Sequence, residues 1–159
     1  MNKVKWCLNV KRGVKLIKPN ENLSKSYIKK AEDSLISMRA NLREGITDWA
    51  SSAAYYARYH ILYALFMKCG IKSEIHECTL EIAKVVFSEF IQASRIKQLE
   101  KAKIQRINLQ YYTDRLVEKN ELDQNMETAG DFVMELKGII ESFDEERIEV
   151  IRRKIRDFM

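Results

Sequence analysis

The stretch "AYYARYHILYALFMKCGIKSEIHECTL", residues 54–80, decides how this chain is read. It carries both histidines, His60 and His76, and four of the seven tyrosines. Between Ala53 and Cys69 only Arg58 and Lys68 are charged. A helix with so few charges has no face to give to water, so it must be covered by neighbours on nearly every side. Tyr56 and His60 are four apart and share a face with Ala53, Ala57, Ala64 and Met67. Tyr55, Tyr59, Leu62 and Phe66 take the other faces. The small alanines let other helices approach closely. The spacing predicts the central helix of a bundle, capped by Thr47 and running to Gly70, with His60 as a hydrogen-bonded residue among apolar neighbours.

Outward from this segment the same periodicity continues. A helix is predicted from Asn20 to Leu42, with Leu23, Tyr27, Ala31, Leu35, Met38 and Leu42 as one stripe, broken by Gly45. A third helix is predicted from near Ser73 to Ile91. His76 lies in its first turn, placed to bond the central helix or to cap its own. A fourth helix falls within 94–118, with Ile96, Leu99, Ile104, Ile107, Tyr111 and Leu116 inward. Asp123 is expected to cap a fifth, and Asp144 a last one whose stripe is Ile148, Ile151, Ile155 and Phe158. Residues 1–18 read as a basic arm closed by Pro19, in which only "GVKLI" hints at a strand. The expectation is all-α: an antiparallel bundle of five to six helices with a short N-terminal arm, forming a single domain over residues 1–159.

Composition narrows the classes. One proline and five glycines in 159 residues leave little room for long loops or low-complexity segments. No apolar run reaches the ~18 residues of a membrane span, and "MNKVKWCLNV" lacks the apolar core of a secretion signal. Cys7, Cys69 and Cys78 form no CxxC pair, so they are expected to be reduced thiols of a cytoplasmic protein. A metal centre at His76, Glu77 and Cys78 is not expected, because helix geometry points adjacent ligands apart. The chain also lacks G-x-S-x-G, a glycine-rich phosphate loop and H-E-x-x-H.

The formal charge is +5, unevenly spread. Residues 1–18 hold six Lys/Arg and no acid, and "QASRIKQLEKAKIQR", residues 92–106, holds five against one acid. Such surfaces suit nucleic acid, and they equally suit a plain solvated face.

The order of "YIKKAEDSL", of "AYYARYHILYALFMKCGIKSEIH", of "RINLQYYTDR" and of the helix with "AGDFVMEL" resembles the HEPN (higher eukaryotes and prokaryotes nucleotide-binding) family over roughly residues 20–142. The resemblance implies a helical bundle, a homodimer, and in many relatives pairing with a small nucleotidyltransferase as a toxin–antitoxin system. No cofactor is expected. Many members are metal-independent ribonucleases with an Arg followed four to six residues later by a His, the Arg for phosphate and the His for a proton. Here Arg106 occupies the matching place and no histidine follows it. No catalytic residue is therefore assigned. The binding candidates are Arg106, Asn108, Gln110 and Tyr111, with His60 and His76. Arg106 and Gln110, four apart, can hold a phosphate or a base edge without chemistry. The expected function is a noncatalytic module binding a nucleotide, RNA or a partner protein. Two alternatives stay open: a ribonuclease in which His60 or His76 meets Arg106 only in the fold, and a purely structural interaction protein.

Overall fold

The computed structural model describes residues 2–112, 114 and 116–159; Met1 and the part of the expected fourth helix at 113 and 115 lie outside the described residues. The order is α1 (Lys3–Asn9), β1 (Val14–Leu16), α2 (Glu21–Arg43), α3 (Thr47–Cys69), β2 (Ile71–Ser73), α4 (His76–Val86), α5 (Ala93–Tyr111), α6 (Lys119–Ser142) and α7 (Glu145–Arg156). The fold is an all-α bundle with one small two-stranded sheet.

The charge-poor segment is α3, and it is the centre. It packs against α2 along most of its length and also meets α5, α6 and α7. Ala50, Ala54, Ala57 and Ala64 are fully buried on it, as are Ile61, Leu62, Leu65 and Phe66. On α2 the buried residues are Ser24, Ala31, Leu35 and Met38, and the Ser24 hydroxyl donates to the Ala64 carbonyl at 2.8 Å. Leu23 and Leu42, expected inward, lie at the exposed ends of that stripe.

Caps decide where the helices begin. Asn20 accepts from the Leu23 amide and Asp144 from the Arg147 amide, both at 2.9 Å, so two side-chain oxygens satisfy amides that have no intrahelical partner. Three expected starts are corrected. Ile46, not Thr47, holds the N-cap position of α3, without a side-chain bond. Ser73 belongs to β2, so α4 starts at His76 and ends at Val86, short of Ile91. Asp123 sits inside α6, which begins at Lys119. On α5 the buried residues are Ile96, Leu99, Ala102 and Gln105, while Ile104 and Tyr111 face outward and Leu116 lies exposed beyond the helix. The inward face of α5 accepts an amide because a buried polar network meets it there.

The arm is not an arm. Residues 3–9 form α1, and β1 pairs antiparallel with β2, Val14 opposite Ser73 and Leu16 opposite Ile71. Cys7 and Cys78 form a disulfide that ties α1 to α4, with Cα atoms 5.5 Å apart. The reading of all three cysteines as reduced thiols is overturned, and the argument it gave for a cytoplasmic setting goes with it. The pairing spans 71 residues, and no local spacing announces it. Only Cys69 is free, and burial pushes its thiol up to about 12.

At the end of α3 the chain turns through Gly70, with φ of 69°. A Cβ there would collide with the Ile17 carbonyl oxygen and the Arg152 guanidinium, so glycine is required on both counts. Arg152 of α7 donates through Nη1 to the carbonyls of Ile17, Cys69 and Gly70 at 2.8–3.1 Å. Among the described residues no helix is long and apolar enough to cross a membrane.

Candidate functional site

Helical rotation divides the candidate residues. Successive residues turn by about 100°, so Arg106 and Asn108 leave α5 on opposite sides while Arg106 and Gln110 share one. Arg106 faces the aromatic side of α3. Its Nη1 donates to the Tyr56 hydroxyl at 2.9 Å, and its guanidinium carbon lies 4.8 Å from the Tyr55 ring centre and 5.4 Å from that of Tyr56. Such stacking holds a cation by the ring faces without neutralising it. No carboxylate pairs with Arg106 among the described residues, and its buried Nε has no hydrogen-bond partner.

His76 joins the same cluster from the first turn of α4. It stacks on Tyr59 at 4.3 Å, and its Nδ1 lies 2.6 Å from the Tyr55 hydroxyl. Burial, then the charges of Lys103 and Arg106, push His76 below its ordinary 6.5. Burial, with smaller contributions around it, pushes the Tyr55 phenol well up. Both groups are therefore uncharged at neutral pH. The phenol proton has no other acceptor among the described residues, so Tyr55 donates and Nδ1 accepts. His76 then carries its proton on Nε2, where it can donate but not abstract.

His60 is half-buried on the Tyr56 face of α3. It stacks on Tyr56 at 5.6 Å, and its Nδ1 reaches the Ser34 hydroxyl at the 3.5 Å limit of a hydrogen bond. Burial first and Lys30 second lower its pKa. His60, Tyr56, Ser34, Ser37, Ser52 and Trp49 line an open groove between α2 and α3, and Trp49 continues it to a shallow hollow with Asp48, Gln110 and Tyr111. Trp49 is 62 % exposed and Tyr111 69 %. Asn108 lines a different cavity, shared with Arg58. The structure thus brings Arg106, Gln110, Tyr111, His60 and His76 around one face of α3 and leaves Asn108 behind α5.

The sequence reading passed over four of these residues. Tyr55 and Tyr56 read as packing. Trp49 sits at the first turn of α3, before the quoted stretch. Arg58 enters the sequence reading only as one of two charges on the central helix, although a charge amid apolar residues is itself a signal.

The HEPN domain family profile matches residues 24–139, from α2 through most of α6. The chain belongs to the HEPN domain family. No curated protein matches it. The matched span takes in the whole aromatic cluster and the groove, while α1, β1 and α7 lie outside it. Family membership makes this HEPN bundle a nucleotide- or RNA-related module in general terms. Among the described residues no group of three or more His, Cys, Asp or Glu is arranged to hold a metal.

Proposed function

We propose that this HEPN chain binds single-stranded RNA along the α2–α3–α5 groove and does not cleave it. The observation that carries the reading is Arg106, a cation seated on Tyr55 and Tyr56 with no carboxylate partner among the described residues; its partner Tyr56 lines the groove with the exposed Trp49, which shares the adjoining hollow with the exposed Tyr111. Arg106 contacts a backbone phosphate, and Trp49 and Tyr111 stack bases. Gln110 supplies an adjacent amide. His76 donates from Nε2 and keeps the Tyr55 hydroxyl engaged.

A second reading, metal-independent ribonuclease, is favoured by one observation: Tyr56 connects Arg106 to His60 on the groove wall. His60 would then be the base, since His76 holds its accessible nitrogen protonated. We also propose a homodimer and, as the resemblance implies, a small nucleotidyltransferase partner. Leu42, Ile46 and Trp49, all exposed around the α2–α3 turn, suit self-association.

The test is fluorescence polarisation with a labelled RNA oligonucleotide, followed by a gel of the same RNA. Binding is expected to weaken steeply with salt, with Arg106→Ala reducing both affinity and salt slope. Trp49→Ala is expected to weaken binding about tenfold through lost stacking. Cleavage by the wild type that His60→Ala abolishes in a folded protein replaces the binding reading with the ribonuclease one. Binding indifferent to Arg106→Ala moves the site elsewhere. Sedimentation of the wild type at tens of micromolar, about the range of weak complexes, checks the dimer. If Trp49→Ala dissociates it while leaving RNA affinity alone, the turn belongs to self-association.

A further inference from the structure

Arg58 is 1 % exposed on the central helix, and among the described residues it pairs with no carboxylate. Its Nη1 donates to Asn125 Oδ1 at 2.6 Å and to the Ala54 carbonyl at 3.3 Å. Its Nη2 donates to the Asn125 carbonyl at 2.7 Å and to Thr128 Oγ1 at 3.0 Å. Every one of these acceptors is neutral, and Nε, also buried, has none. The charge that acts on it is of the same sign: Arg95, which is itself paired with Glu135 at 2.6 Å. Burial chiefly, with Arg95, lowers Arg58 to about 10, which still leaves it cationic at neutral pH. A buried cation without a compensating charge is among the most unfavourable things a core can contain.

Arg58 lines a cavity of about 210 Å³ between α3, α5 and α6. That is smaller than the ~300–1,000 Å³ of pockets for drug-sized ligands. Gln98, Gln124 and Lys101 offer hydrogen-bond donors around it, the Thr128 hydroxyl proton being taken by the Gln124 carbonyl at 2.7 Å, Ile104 and Val117 form an apolar wall, and Glu121 is the one acid of the lining. Glu121 is exposed and forms no ion pair with Arg58; its backbone carbonyl accepts from Gln105 at 3.3 Å. Gln105 in turn accepts from Asn125 at 2.7 Å, so the side-chain amide that holds the guanidinium is itself held. The guanidinium is fixed in place before any ligand arrives.

We propose that this cavity binds a compact phosphate-type oxyanion, with Arg58 supplying the buried charge and Lys101 the charge at the rim. Neutral acceptors take the four Nη protons, so Arg58 offers a phosphate its charge and its free Nε–H, while the Gln98 and Gln124 amides and Lys101 supply donors from other directions. Asn108 falls on this lining, which gives it a place apart from the Arg106 groove. The site does not depend on the RNA reading, because it lies on the other side of α5.

The experiment is thermal unfolding in a chloride buffer of matched ionic strength, titrated with inorganic phosphate and separately with AMP and UMP. The wild-type Tm is expected to rise and saturate with phosphate, since a ligand of the folded state alone stabilises it. Arg58→Met should lose the response. A larger rise with a lower half-saturation for AMP or UMP identifies a nucleotide phosphate as the ligand; equal responses identify the free ion. No saturable rise in the wild type, or the same rise in Arg58→Met, overturns the proposal. Should Arg58→Met fail to fold, Lys101→Glu, an exposed change, decides: half-saturation should move up about tenfold, while Lys25→Glu on α2 leaves it unchanged. A Lys101→Glu protein that responds as the wild type does overturns the site.

Discussion

Tyr55→Phe removes one oxygen from the interior and tests how His76 is held. The phenol donates to His76 Nδ1 at 2.6 Å, and Tyr55 is 1 % exposed, so water cannot replace it without rearrangement. The ring and its stacking remain. What is lost is one hydrogen bond, and what is left is a partly buried acceptor with no donor, together worth about 2 kcal/mol. In a domain of this length each kcal/mol moves the midpoint by roughly 2–4 °C, so Tm should fall by about 4–8 °C. The second readout is the histidine itself. In the wild type, ¹⁵N shifts should show Nδ1 unprotonated and Nε2 protonated; in Tyr55→Phe that preference should relax. A wild-type His76 with its proton on Nδ1 refutes the tautomer argument, and with it the reason for excluding His76 as a base. An unchanged Tm refutes the energetic one.

Other consequences are as open to measurement. Ala57→Arg places an unpaired charge at a fully buried position of α3, and chemical denaturation should show a loss of about 3–5 kcal/mol. Reducing the Cys7–Cys78 bond, or Cys7→Ser, should lower stability by about 2–4 kcal/mol, because a long loop is no longer closed in the unfolded chain; identical urea midpoints with and without reductant would count against the bridge. His60 and His76 both lie below their ordinary 6.5 in the fold, so on acidification the unfolded chain takes up protons before the native one does. Stability should therefore be full near pH 7 and fall as pH drops through about 6.5. His76→Gln should flatten that slope.

Helices α2 to α7 were legible because their apolar spacing and breakers agree: the alanines of α3, Asn20 and Asp144 at two starts, Gly70 at a stop. The starts that misled did so for identifiable reasons. Thr47 and Asp123 are good capping residues in isolation, but α3 takes its N-cap one residue earlier, at Ile46, and α6 starts four residues before Asp123, at Lys119, both in exposed chain ahead of the first buried residues, Ala50 and Asn125. Ser73 is claimed by β1, a partner more than fifty residues away. Cys7 and Cys78 meet only because α1 folds back onto α4, a fact about space rather than spacing. Within the site, Arg106 with Gln110 followed from helical periodicity. The same rule would have separated Asn108 from Arg106. Its meeting with Tyr55, Tyr56 and His76 required knowing which helices touch.

Arg152 gives the junction beyond Gly70 a schedule. It follows Gly70 by 82 residues and Ile17 by 135, yet it satisfies carbonyls on both sides of the turn. At synthesis rates of about 5–20 residues per second, some 4–16 s pass between the two ends of that contact becoming available. Throughout that interval the Ile17 amide can already donate to the Gly70 carbonyl, at 2.8 Å in the finished fold, but the Ile17 and Cys69 carbonyls that Arg152 also gathers must rest on water. The last helix thus acts as a clasp on a join made early. Nascent chains arrested before residue 152 are expected to be cut by protease near residues 17–20, and chains arrested well after it to resist.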